Sequence, residues 1–389
     1  MFKKISLPIQ LLIVIALSFI ASYFVCMKTT QLFYTFSLLF KECLGFLLPF
    51  IIFSFITVGI VSLKRNAPAI LAILISMIIM SNSIVAFFSY FITTTVLRFT
   101  TTNSATDSLH ISQEIQSLLP FHLPKLINSE HAMLAAAITG LLLYFFPVQP
   151  AITALHRAKK SIEWLINTIF IPVLPLYVFG FLLALHKQGI FLTLFASYGK
   201  TFGLIICLQT LVIFLVFLVA AQGKINQAIL YIKNAAASYM TAFGTMSSTA
   251  TIPVTSACAQ KNGVSEPIAL MATPITANIH LLGDAVATPT LALVTCYLFT
   301  GMIPTITMYA PFVMYFCINM LAVSGIPGGG IIVMAPLLVD FLGFNEVMIS
   351  IITTLYLLQD SFGTAGNVMG DGALMIMVEK VLRRLRLID

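Results

Sequence analysis

Charge is what this sequence has least of. Only 8% of its 389 residues are Asp, Glu, Lys or Arg, while 59% are hydrophobic. A soluble domain carries about 25% charged residues. The shortage excludes a water-soluble globule and places most of the chain in a bilayer. Metal and redox frameworks are also missing. The six cysteines, at positions 26, 43, 207, 258, 296 and 317, form no C-x-x-C pair and read as small buried residues. The histidines, at 110, 122, 131, 156, 186 and 280, do not cluster, which leaves no spacing for zinc. No G-K-S/T follows a glycine run, so a phosphate-cradling loop is excluded. No A-x-A site follows the first apolar stretch, which is long enough to span, so it reads as a helix and not a cleaved signal. The net charge of +7 gathers at segment ends, where it orients helices, and does not point to nucleic acid.

What is present is a series of apolar runs. Segments are expected near 7–27, 36–62, 68–97, 131–147, 161–186 and 190–221, with a polar break at Ser81-Asn82-Ser83 in the third. Residues 98–130 form the one long polar stretch and read as an exposed loop. A basic patch, His156, Arg157, Lys159 and Lys160, precedes the fifth segment. After Lys224 the pattern changes. Residues 226–261 break at GTMSSTATIPV, and 266–300 are interrupted by ANIHLLGDA. Residues 304–344 break at SGIPGGGIIVMAP, and 346–380 form a last span. A broken segment followed by a span thus occurs twice, the pattern of discontinuous elements at a site near the bilayer midplane. Backbone that is not helical at that depth must face protein or a water-filled cavity. With both broken segments as re-entrant hairpins and both termini cytoplasmic, most Lys and Arg fall inside. Only Lys28, Lys41, Arg98, Lys125, Lys187 and Lys200 fall outside.

The last span holds TTLYLLQDSFGTAGNVMGD, residues 353–371. Asp360, Thr364, Asn367 and Asp371 are spaced four, three and four apart, which stacks them on one helical face, with Thr353 and Tyr356 extending the stripe. Asp371 lies about 16 Å along the axis from Asp360. A carboxylate inside a membrane is costly, so two on one face point to a functional site. Helix-to-helix glue is the other reading, but glue needs Ser, Thr or Asn and not two acids. Gly363, Gly366 and Gly370 run beside the stripe, where a neighbouring backbone can approach.

Three further clusters each allow a plainer reading. The tip at 245–253, with Ser247 and Ser248, offers hydroxyls and helix N-termini for a carboxylate, or is a Ser/Thr packing kink. The tip at 324–330 suits a flexible turn that touches ligand with backbone, or is a plain loop. In the seventh element His280 and Asp284 are four apart and share a face if the helix continues. They would then relay a proton, help hold a cation, or merely satisfy each other at a break.

Taken in order, these pieces resemble the dicarboxylate/amino acid:cation symporters, the glutamate transporter family. SSTATIP stands where the family has a serine-rich first hairpin ending in T-L-P. HLLGD stands at its N-M-D-G-T, and Pro327, Gly328 and Gly330 match its P-G-x-G core. Asp360, then Gly363-Thr364, then Asn367-Val368-Met369-Gly370-Asp371 stand on its eighth helix. The resemblance implies an all-α polytopic fold of eight transmembrane helices plus two re-entrant hairpins, moving as an elevator and usually homotrimeric. Residues 1–66 and 131–187 would be scaffold, 67–97 the third helix, 98–130 an extracytoplasmic loop, and 188–389 the transport core. Asp360 would take the substrate's amino group. Asn367, Ser247, Ser248 and backbone at Ile326 and Gly328 would take its carboxylate end, with Gly363 and Thr364 lining the site. Asn367 and Asp371 would hold sodium.

The departures bear on substrate and ion. Members that carry acidic substrates have an Arg where Gly363 stands, and the alternative Arg position is Met246. Asp284 replaces a Thr and would repel a carboxylate. The expectation is therefore a neutral or polar amino acid rather than an acidic amino acid or C4-dicarboxylate. His280 and Leu282 replace an Asn and an Asp of the sodium pattern, so protons through His280 or Asp284 stand beside sodium as coupling ions. No other cofactor is expected. An intramembrane aspartyl protease would need Y-D paired with G-x-G-D, and neither LLGD nor VMGD supplies it. A channel remains the other class, separable by concentrative uptake. No metabolic enzyme motif stands out.

Overall fold

The computed structural model describes residues 7–61, 68–101, 115, 117–119, 123, 124, 127, 129–189, 191–323 and 328–388. Among them every regular element is helical. The helices are α1 (Leu7–Phe24), α2 (Met27–Val61), α3 (Pro68–Thr101), α4 (Ser129–Phe145), α5 (Gln149–Leu165), α6 (Ile171–Lys187) and α7 (Phe191–Ala220), then α8 (Ile225–Thr245), α9 (Ser248–Lys261), α10 (Glu266–Ile279), α11 (Leu282–Thr300), α12 (Ile306–Asn319), α13 (Gly329–Leu342) and α14 (Glu346–Arg384). A π turn at Ile166–Phe170 joins α5 to α6, and a 3-10 turn at Met320–Ala322 follows α12. The stretches Ile70–Phe99, Tyr198–Ala220 and Glu266–Thr300 are long and apolar enough to cross a membrane. Large apolar side chains such as Tyr23, Phe24, Phe146 and Met240 point outward, as a lipid-facing surface requires.

Packing falls into two groups. In the first, α2 lies against α4, α5 and α6, and α1 against α6. In the second, α14 is wrapped by α7, α8, α9, α10, α11 and α13. Helix α3 joins the second group through α11 and α12, despite its place in the chain.

Several boundaries differ from the sequence reading, for physical reasons. Helix α3 runs unbroken through Ser81-Asn82-Ser83, because the Asn82 amide donates to the Ile279 carbonyl (3.0 Å) and not to its own backbone. Helix α2 begins at Met27, nine residues before the expected 36, since its first turns are polar and hydropathy alone passes over them. Helix α5 begins at Gln149, with Pro150 in the first turn where its missing N–H costs nothing. The basic patch therefore lies within an amphipathic helix and not ahead of the segment. Most of 98–130 lies outside the described residues.

Candidate functional site

Three broken helices start their second halves against α14. Asn345 caps α14, its side chain accepting from Met348 N–H at 2.9 Å, and no proline interrupts the 39 residues that follow. The first break is two residues long. Met246 turns left-handed at φ 51°, and Ser247 caps α9 by accepting from Ala250 N–H at 3.2 Å. A left-handed methionine is a strained choice, held here by a buried side chain. Ala242 packs on Ala365 and Val368, and the Phe243 and Phe362 rings meet edge to face at 5.0 Å, so this tip sits beside the stripe. The second break is His280-Leu281, between α10 and α11. The third ends at Gly328, left-handed at φ 71°, from which α13 begins.

The stripe on α14 meets these starts one by one. Asp360 accepts the Gly328 N–H at 2.8 Å and the Thr364 hydroxyl at 3.3 Å. Asn367 accepts the N–H of Gly283 at 2.7 Å and of Asp284 at 3.4 Å, the free amides that open α11. Its own amide donates to Asp284 Oδ2 at 3.2 Å. The Tyr356 hydroxyl donates to Asp284 Oδ1 at 2.6 Å. At the stripe's far end His280 Nδ1 lies 3.0 Å from Asp371 Oδ1, and His280 Nε2 lies 3.0 Å from the Ser81 hydroxyl on α3. Asp284, Asp360, Asp371, Asn367 and His280 are all at most 4% exposed. Two acceptors in this region, Asp371 Oδ2 and Asn82 Oδ1, are buried without a hydrogen-bond partner among the described residues, the sort of oxygen a hard cation seeks.

The glycines act as expected. A Cβ on Gly283 would run into the backbone of Gly363, and one on Gly366 would lie 3.1 Å from the Gly283 Cα. Bare backbone on both helices therefore lets the start of α11 press onto α14.

The fold thus brings Asp360, Thr364, Gly328, Asn367, Asp284, His280 and Asp371 to one buried seam, with Ser247 and Ser248 at the adjoining tip. One expectation is corrected. His280 and Asp284 do not share a helical face, because the helix breaks between them. His280 caps α10 in a non-helical conformation and turns to Asp371 and Ser81, while Asp284 turns to Tyr356 and Asn367. The four residues grouped as cation ligands therefore form two clusters, Asn367 with Asp284 and His280 with Asp371. Ile326 lies outside the described residues. Sequence reasoning missed Ser81 and Asn82 as partners across nearly 200 positions, and gave Gln209 and Gln359 no role. Tyr356 was visible on the stripe, but its partner was not.

Discontinuous helices meeting a buried polar seam inside an apolar bundle define a membrane transporter. The chain belongs to the sodium:dicarboxylate symporter family, whose sequence model matches residues 7–381. It is accordingly an integral membrane protein, a cation-coupled symporter of the dicarboxylate and amino-acid class, and not an enzyme.

Proposed function

We propose that the protein carries a neutral or polar amino acid across the cytoplasmic membrane with a coupling cation. The observation that carries this reading is Asp360: a buried carboxylate whose partners among the described residues are one backbone amide and one hydroxyl, with no fixed cation. An ammonium group meets such a carboxylate with a charge-assisted bond stronger than the amide it displaces. The substrate carboxylate then lies toward Asn367, Thr364 and the N-terminal amides of α9, beside Ser247 and Ser248, with the backbone at Gly328 closing the other side. Gly363 supplies no arginine for a second carboxylate. The unpartnered oxygen of Asp371, near Asn367, suits sodium as the coupling ion. A proton is the second reading, favoured by His280 bridging Asp371 and Ser81.

In this reading α8–α9 and α12–α13 are re-entrant hairpins, beside eight transmembrane spans with both termini cytoplasmic. Helices within 1–66 and 131–187 form a static scaffold, and the third helix (67–97) and 188–389 move as an elevator within a homotrimer. The grouping of α3 with α7–α14 supports that division.

The test is uptake of labelled amino acids into proteoliposomes, with sodium and pH gradients imposed separately. Asp360→Asn keeps the shape and removes the charge. Losing a buried charge partner costs about 2–5 kcal/mol, so uptake should fall by more than about thirtyfold while thermal unfolding stays near that of the parent. Undiminished uptake would remove Asp360 from the substrate site. Uptake that never exceeds equilibrium under any gradient would argue for a channel.

A further inference from the structure

Around Asp284 the polar groups are arranged in a way the amino-acid reading leaves unexplained. Asp284 opens α11, makes no ion pair among the described residues, and accepts one hydrogen bond on each oxygen, from Tyr356 and Asn367. Each carboxylate oxygen has a second lone pair, so capacity for another donor remains. Glycine flanks it twice. A Cβ at Gly330 would lie 3.5 Å from Asp284 Oδ2, on a side the Tyr356 hydroxyl already fills, and one at Gly363 would lie 3.5 Å from Oδ1. Beside Gly363 stands Gln359, fully buried. Its orientation is set by Gln209, whose amide donates to the Gly283 carbonyl at 3.2 Å and to Gln359 Oε1 at 3.3 Å. The oxygen of Gln359 thereby takes the Gln209 amide, while Nε2 and Oε1 lie 3.3 and 3.4 Å from where a Gly363 Cβ would be. That Nε2 has no hydrogen-bond partner among the described residues. A carboxylate with spare acceptor capacity and an amide with a spare donor thus flank the same stripped backbone.

We propose that the transported amino acid's side chain ends here, and that it ends in a group that both donates and accepts, a carboxamide or a hydroxyl. The proposal rests on the amino-acid reading above and narrows it. A side-chain carboxylate would face Asp284 across a water-poor gap, with like charges opposed. An ammonium would face the positive end of the Gln359 amide. An aliphatic end would leave that buried donor unsatisfied, which a site built for hydrogen bonds penalises. A carboxamide or hydroxyl donates to Asp284 and accepts from Gln359.

A competition panel of shape-matched amino acids against the labelled substrate tests it. Thermal unfolding of the purified protein with each compound serves as a readout that does not need transport. Asparagine, glutamine, serine and threonine should compete and stabilise at concentrations at least about tenfold lower than aspartate, glutamate, leucine and lysine, the span of one buried hydrogen bond. Gln359→Met should shrink the gap between asparagine and leucine while leaving that between asparagine and aspartate, which belongs to Asp284. The pair Asp284→Thr with Gly363→Arg should turn the order toward aspartate. Gly363→Arg alone should not, because its guanidinium would meet the Asp284 carboxylate. Amino-acid binding in which acidic or aliphatic compounds compete equally well, or in which neither substitution changes the order, overturns the proposal and leaves the amino-acid reading standing. If no amino acid competes or stabilises, both fall.

Discussion

The two longest helices, α2 and α14, both carry polar residues through an apolar bundle, and they use them in opposite ways. On α2 the buried polar groups are hydroxyls, and they bond mainly to main-chain carbonyls, although Glu42 on the same helix accepts the Leu123 N–H at 3.2 Å. Thr30 donates to Cys26, Thr35 to Gln31, Ser54 to Phe50, and Ser37 to both Phe33 and Tyr177. Each donor is satisfied by a carbonyl that the helix already supplies, or by one on the next helix. On α14 Thr353 and Thr354 also bond carbonyls of their own helix, but Asp360, Asn367 and Asp371 reach other elements where those elements stop being helical: Gly328, Gly283 and His280. The difference is between polarity that holds helices together and polarity that answers the free amides of broken ones. Only the second kind leaves capacity for a substrate or an ion, as the unpartnered Asp371 oxygen does.

The sharpest way to break that contrast after Asp360 is at Asp371. Asp371→Asn keeps an oxygen for His280 and removes the charge. A hydrogen bond to a charged group contributes about 1.5–3 kcal/mol, so the cation concentration giving half-maximal uptake should rise by about ten- to a hundredfold. Gradients of sodium and of protons, applied one at a time, identify which ion the change affects. A cation dependence identical to that of the parent protein would reduce Asp371 to the kind of glue seen on α2.

A matched pair of glycines gives the next test. A Cβ on Gly283 would strike the Gly363 carbonyl, and a Cβ on Gly180 in α6 would strike the Phe33 carbonyl of α2. Overpacking of this kind costs about 1–3 kcal/mol at either place. Gly283→Ala and Gly180→Ala should therefore lower thermal stability by similar amounts. Uptake per folded molecule should fall for Gly283→Ala and hold for Gly180→Ala. Equal uptake from the two would mean that the seam tolerates displacement and does not position the substrate.

Much of the seam was legible in the sequence, because spacing within one helix is a local property. The intervals from Asp360 to Asp371 place four side chains on one face whatever surrounds them, and Gly363, Gly366 and Gly370 mark where a neighbour comes close. The breaks were legible too, since glycine, proline and hydroxyl clusters are poor helix. What the sequence could not show is which end meets which. His280 reads as one turn from Asp284 until the break at 280–281 turns it toward Asp371, 91 positions away. Ser81-Asn82-Ser83 reads as a break until a carbonyl from α10 takes the Asn82 amide. Hydropathy likewise missed the amphipathic start of α5, whose basic residues face outward. In each case the deciding partner is distant in sequence, and composition carries no record of it.

The smallest expected effect is on α2. Ser37 is buried and donates at 2.8 Å to the Tyr177 carbonyl of α6 and at 3.0 Å to its own Phe33 carbonyl. Ser37→Ala removes a donor but leaves no unsatisfied group of its own, and the Phe33 carbonyl keeps its place in the helix ladder. Hydrogen bonds between membrane helices contribute about 0.6 kcal/mol on average, so thermal stability should drop slightly and uptake kinetics and cation dependence should not move. If Ser37→Ala altered substrate preference or ion dependence, the division between adhesive and functional polarity would fail, because a hydroxyl already committed to carbonyls would be acting on the transport cycle.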